Sequence, residues 1–141
     1  MKILSLAATL LILFYFTENQ DTSTINGKWE FISISDADSL LKNSERKPYI
    51  NFHEGESRFS GYAGCNRMMG GYEVAGDSLV LSQVAATRML CEEMRIEDTL
   101  LEKISGKSFY LDFESTKQIN LIDSSGDTLV IRKTRDSLEE K

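Results

Sequence analysis

The sequence predicts an α+β domain, mostly antiparallel β, with about eight strands in a curled sheet or partial barrel and one main helix near residues 92–105. Three observations carry this expectation. Short stretches in which apolar and polar residues alternate recur along the chain, as in Trp29-Glu30-Phe31 and Phe109-Tyr110-Leu111-Asp112-Phe113. Turn chemistry separates them, at Glu54-Gly55-Glu56, Ala75-Gly76-Asp77 and Asp123-Ser124-Ser125-Gly126. Only one run, from Glu92 to Ile104, has helical spacing together with acids in its first turn and a glycine, Gly106, to end it. A chain of 141 residues, 41% hydrophobic, supports a single core. Its net charge of −6 and pI near 4.8 argue against binding a phosphate backbone, so nucleic acid is not an expected partner.

Along the chain, Met1-Lys2 is followed by the apolar run from Ile3 to Phe16 and then by a polar stretch. The run is shorter than the roughly 18–20 residues of a membrane-spanning helix and has no polar face, so residues 1–20 read as an export signal or an uncleaved N-terminal anchor. No cysteine follows the run, and a lipid-modified N-terminus is not expected. Trp29 and Phe31 define the first strand. Residues 35–47 are polar and read as a loop with a helical turn, and a hairpin then follows over residues 49–60.

Residues 60–72, S-G-Y-A-G-C-N-R-M-M-G-G-Y, read as a shaped turn. Gly61 and Gly64 would supply bulges or positive φ, Gly70 and Gly71 would reverse the chain, and Cys65 would anchor the apex. A further hairpin spans residues 71–82, residues 83–91 are irregular, and three strands follow the helix at residues 108–113, 118–122 and 128–132. Residues 134–141 form a charged tail. Gly76-Asp77-Ser-Leu-Val-Leu recurs as Gly126-Asp127-Thr-Leu-Val-Ile, which fits either duplication or two hairpins solving one problem alike.

Cys65 and Cys91 are the two cysteines, enough for one disulfide in an oxidising compartment, and closing that loop is worth roughly 3–4 kcal/mol on the chain-entropy estimate. The competing reading makes Cys65 a nucleophile with His53 as base, but no spacing ties the two together and no third group orients them. Two cysteines and one histidine fall short of a metal set, so neither metal nor cofactor is expected. His53 reads as a solvent-facing strand end, and the pairs Glu54/Glu56 and Glu92/Glu93 as solvated acids. Glu97 is different: with Met94, Leu101 and Ile104 it falls on the apolar helical stripe, so it needs a partner, and Arg67 or Arg88 is the expected one. Asn66 and Arg67 are expected to hydrogen-bond within their own turn.

Trp29, then G-C-N-R and G-G-Y, then T-R-M-L-C, then a helix with Glu97, together resemble the META domain family, the HslJ-like heat-inducible envelope proteins of bacteria. The resemblance covers residues 25–133. Gly64, Cys65, Asn66 and Arg67 match its first motif, Thr87, Arg88, Met89 and Cys91 its second, and Glu97 its helical acid. It implies a compact β-rich domain in the periplasm or cell envelope, associated with stress tolerance, secretion or antibiotic resistance, and no catalytic reaction. The expected function is therefore non-enzymatic binding of an envelope partner, with membrane contact only through the N-terminal segment. The alternatives are binding of a small anionic or lipid-like ligand met by Arg67 or Arg88, and a thiol enzyme using Cys65.

Overall fold

The computed structural model describes residues 25–135; the apolar N-terminal run and most of the charged tail lie outside the described residues. Nine strands and two short helices follow in order: β1 Gly27–Ile34, α1 Asp38–Asn43, β2 Tyr49–His53, β3 Arg58–Tyr62, β4 Arg67–Ala75, β5 Ser78–Leu81, β6 Ala85–Ala86, α2 Arg95–Ile104, β7 Ser108–Ser115, β8 Gln118–Ile122 and β9 Thr128–Lys133. The sheet runs β3-β2-β1-β9-β8-β7-β5-β4, and β4 pairs with β3 to close it, so eight antiparallel strands make a barrel and β6 adds a short ninth beside β4. Closure removes the exposed edges that an open sheet would offer to other chains.

The period of two in the sequence sets which side chains point inward. Trp29, Phe31, Ile50, Phe52, Phe59, Leu79, Leu81, Phe109, Leu111, Ile119, Leu121, Leu129 and Ile131 are all buried. Strict alternation would turn Ser33 inward, but a register shift between Phe31 and Ser33 reverses the phase, and Ile34 enters the core instead. A second shift, between Phe113 and Ser115, accompanies the half-exposed position of Phe113, which does not join Phe109 and Leu111 inside. The barrel is filled by large side chains: Trp29 donates its indole N–H to the Ile25 carbonyl at 2.7 Å, and Phe52 meets Phe59 and Tyr72 edge to face.

Residues 82–107 leave the wall between two neighbouring strands, β5 and β7, and carry β6 and α2. α2 buries Ile96, Leu100 and Ile104 against one end of the barrel, and α1 adds Leu41 there. The helix begins at Arg95 rather than near residue 92, and its buried stripe is centred on Ile96 and Leu100 rather than on Met94 and Leu101. Residues 35–47 hold the six residues of α1, whose Asp38 carboxylate accepts from the Ile34 backbone N–H and the Ser33 hydroxyl, both at 2.9 Å.

Residues 60–72 correct the expectation of one extended turn. They form the end of β3, a tight reversal at residues 63–66 and the first part of β4. Gly70 and Gly71 do not reverse the chain. They lie in mid-strand, Gly70 because a Cβ there would press to 2.8 Å from the Phe59 ring.

Candidate functional site

At the helical end of the barrel, the β3–β4 turn, the segment before α2 and the first turn of α2 converge on one buried polar joint. Gly64 makes the approach possible. Its φ of +132° suits glycine, and a Cβ would lie 2.6 Å from the Ile96 side chain and 3.3 Å from the Glu97 backbone nitrogen. Gly61 has no positive φ; it is required because a Cβ would run into the Tyr49 carbonyl oxygen on the paired strand.

With the turn pressed against the helix, Glu97, 3% exposed, reaches out of the first turn of α2 into the reversal. One carboxylate oxygen accepts the backbone N–H groups of Cys65 and Asn66, at 3.0 and 2.6 Å, and the other accepts the Asn66 side-chain amide at 2.7 Å. Its position in the first helical turn also places it where the helix dipole favours negative charge. Arg67 and Arg88 are both exposed and form no ion pair with it. The expected arginine partner is thus replaced by two peptide N–H groups and a carboxamide, which satisfy a buried carboxylate without burying a second charge.

Asn66, 1% exposed, does not fold back onto its own turn; its side chain links three segments. Its carbonyl oxygen accepts from the Met89 backbone N–H at 2.6 Å and the Thr87 hydroxyl at 3.0 Å, and its amide donates to the Met89 carbonyl at 3.0 Å as well as to Glu97. Arg67 likewise acts through its backbone, donating N–H to the Thr87 hydroxyl at 3.1 Å while its side chain faces solvent. Beside this network Cys65 is bonded to Cys91, with Cα atoms 6.0 Å apart. The structure therefore joins Gly64, Cys65, Asn66, Thr87, Met89, Cys91 and Glu97, leaves the Arg67 and Arg88 side chains outside, and places Gly61, Gly70 and Gly71 in the barrel wall.

Chemically the joint is saturated. Both Glu97 oxygens and the Asn66 carboxamide have partners, and no buried side-chain nitrogen or oxygen among the described residues is without a hydrogen bond. The sulfur of Cys65 is held in a disulfide, so the thiol-enzyme reading lacks its nucleophile. His53 stands on β2 with its Nε2 2.8 Å from the Ser60 hydroxyl, half-buried rather than fully in solvent. Among the described residues no three His, Cys, Asp or Glu side chains are grouped for a metal.

The joint fixes the segment that leaves it. Residues 87–93 are exposed throughout, yet Met89 is clamped through both its N–H and carbonyl, and Cys91 is covalently tied. Between these two pins Leu90 is 95% exposed, and the Met89 side chain beside it is 61% exposed. Elsewhere a shallow depression of about 260 Å³, lined by Ser57, Gly71, Tyr72, Glu73, Val80 and Ser82, opens on the wall; burial raises the Tyr72 phenol above its ordinary value, and no cation lines it.

The sequence profile of the META domain matches residues 22–136 of this chain. No curated protein matches it at a significant level. Among solved structures it is similar to a protein from Burkholderia xenovorans determined by NMR, at 20% identity and TM-score 0.59, covering 79% of this chain and 83% of that one. A second NMR structure is similar at 22% identity and TM-score 0.55, covering 76% and 88%. A lipocalin-like protein from Bacteroides uniformis aligns at 18% identity and TM-score 0.48, covering 79% and 99%.

Proposed function

Because this chain belongs to the META domain family, we propose that it is an exported, non-enzymatic domain that holds a partner protein in the cell envelope, contributes there to stress tolerance, and docks that partner on residues 87–93. The observation that carries the reading is the exposure of Leu90 and Met89 on a loop pinned on both sides. A large apolar side chain held out in water is unfavourable in the isolated domain, and a loop already fixed loses little conformational freedom when a partner covers it. Export is supported by the apolar run from Ile3 to Phe16 and by the disulfide, a bond that persists in oxidising compartments.

The rival reading, a pocket for a small anionic or lipid-like ligand, has less support. Large side chains fill the barrel, and the Arg67 and Arg88 side chains lie outside the joint.

A photo-crosslinking residue placed at Leu90 in the native envelope should yield one discrete protein adduct, and the same residue at Glu114, an exposed position on β7, should not. Equal labelling from both positions, or a saturable rise in melting temperature with fatty acids or small carboxylates, would sink the docking reading.

A further inference from the structure

The outer wall of β1, β2 and β3 carries an arrangement that neither the joint nor the loop uses. Tyr49 and Tyr62 are cross-strand partners whose rings stack with centroids 6.4 Å apart. The Lys28 ammonium lies 4.1 Å from the centre of the Tyr49 ring, and the Arg46 guanidinium lies 4.3 Å from Tyr62 and 5.8 Å from Tyr49. Two hydrogen bonds hold these residues: the Tyr62 hydroxyl donates to the Gly64 carbonyl at 2.6 Å, and the Arg46 carbonyl accepts from the Ser44 hydroxyl at 2.7 Å.

In a chain with 22 acids against 16 bases, cations have no shortage of possible carboxylate partners. Lys28 and Arg46 nevertheless take none among the described residues. The acids nearest in sequence and register, Glu45 beside Arg46 and Glu30 opposite Tyr49, form no ion pair with them. A cation resting on an aromatic face is partly immobilised while its N–H donors stay available, so a carboxylate arriving from outside meets pre-positioned donors. Two cations seated on neighbouring rings suit a segment that carries several carboxylates, which can meet both at once.

We propose that the Tyr49–Tyr62 wall, with Lys28 and Arg46, is a docking surface for an acidic polypeptide segment of a partner protein. The inference rests on the reading of this domain as a protein-binding module and adds a second, electrostatic contact to the apolar loop. Titration of the full domain with hexaglutamate, followed by amide and tyrosine-ring NMR shifts, should give saturable changes at Lys28, Arg46, Tyr49 and Tyr62 that weaken as salt rises. The Lys28→Gln/Arg46→Gln double variant should bind about tenfold more weakly or worse, whereas Arg58→Gln at the far end of β3 should bind as the parent does. Retention of the parent amide spectrum by the double variant separates lost binding from lost fold. No saturable shift, equal binding by the double variant, or a response to inorganic phosphate or phosphatidylglycerol vesicles but not to hexaglutamate would overturn the proposal. Absence of a Leu90 adduct with hexaglutamate binding intact would sink the loop reading while sparing this wall.

Discussion

From Trp29 to Ile131 the barrel is held by apolar side chains that alternate in and out of the wall, whereas the joint where residues 63–66 meet α2 is held by a carboxylate, a carboxamide and a disulfide. In the first region stability scales with area and volume, and many residues share it. In the second it is concentrated in a few directional contacts whose loss strands other polar groups. The difference teaches how one small domain serves two needs. The barrel supplies most of the folding free energy, and the joint spends hydrogen bonds to hold an exposed loop in one place.

The largest expected effect lies in the barrel. Trp29→Ala removes a side chain 1% exposed and its bond to Ile25, and chemical denaturation should record a loss of about 3–5 kcal/mol. A smaller loss there than at the joint would invert the comparison. Next comes the disulfide: Cys91→Ser should lower stability by about 2–4 kcal/mol, and the Cys65→Ser/Cys91→Ser double variant by nearly the same amount, since one bond is removed in either case. Unchanged unfolding midpoints would show that the bridge does not stabilise the chain.

Glu97→Gln, despite its matching shape, should cost about 1–3 kcal/mol. A glutamine offers one oxygen and one NH₂ where the site requires two acceptors, so its NH₂ must face either the Asn66 amide or the paired N–H groups of Cys65 and Asn66. Combined with Cys91→Ser, its effect should depart from additivity because both contacts pin the same turn. Strict additivity would mean that the joint is two independent fastenings.

The smallest effect concerns Asp38. The Ile34 backbone N–H, and then the Ser33 hydroxyl, hold its carboxyl below the ordinary value of 3.8. A depressed carboxyl stabilises the folded state in full above its unfolded value, and that contribution fades as pH falls through the folded one. The stability gap between the parent and Asp38→Asn should therefore be constant at neutral pH and shrink below about pH 4. A gap undiminished in acid would exclude the carboxylate as its source.

Local pattern made the β-rich architecture, the helix and the cysteine pairing legible, because alternation, helical spacing and a count of two thiols need no partner to be read. Glu97 also announced itself as an acid on an apolar stripe. Its partners did not, because they are mainly peptide N–H groups, which every residue but proline carries and no letter marks. Arginine was the visible candidate and the wrong one. Gly70 and Gly71 misled for a related reason: glycine marks a turn and a close ring contact with the same letter.

The order of letters alone determined that most of the chain alternates into strands and which two sulfurs can meet, both consequences of short-range geometry and chemistry. Only the closed barrel decided that β3 and β4 seal the wall, that bulges move Ile34 in and leave Phe113 at the surface, and that Glu97 answers backbone donors. Those outcomes depend on distances between segments far apart in the chain, which are set when the core packs.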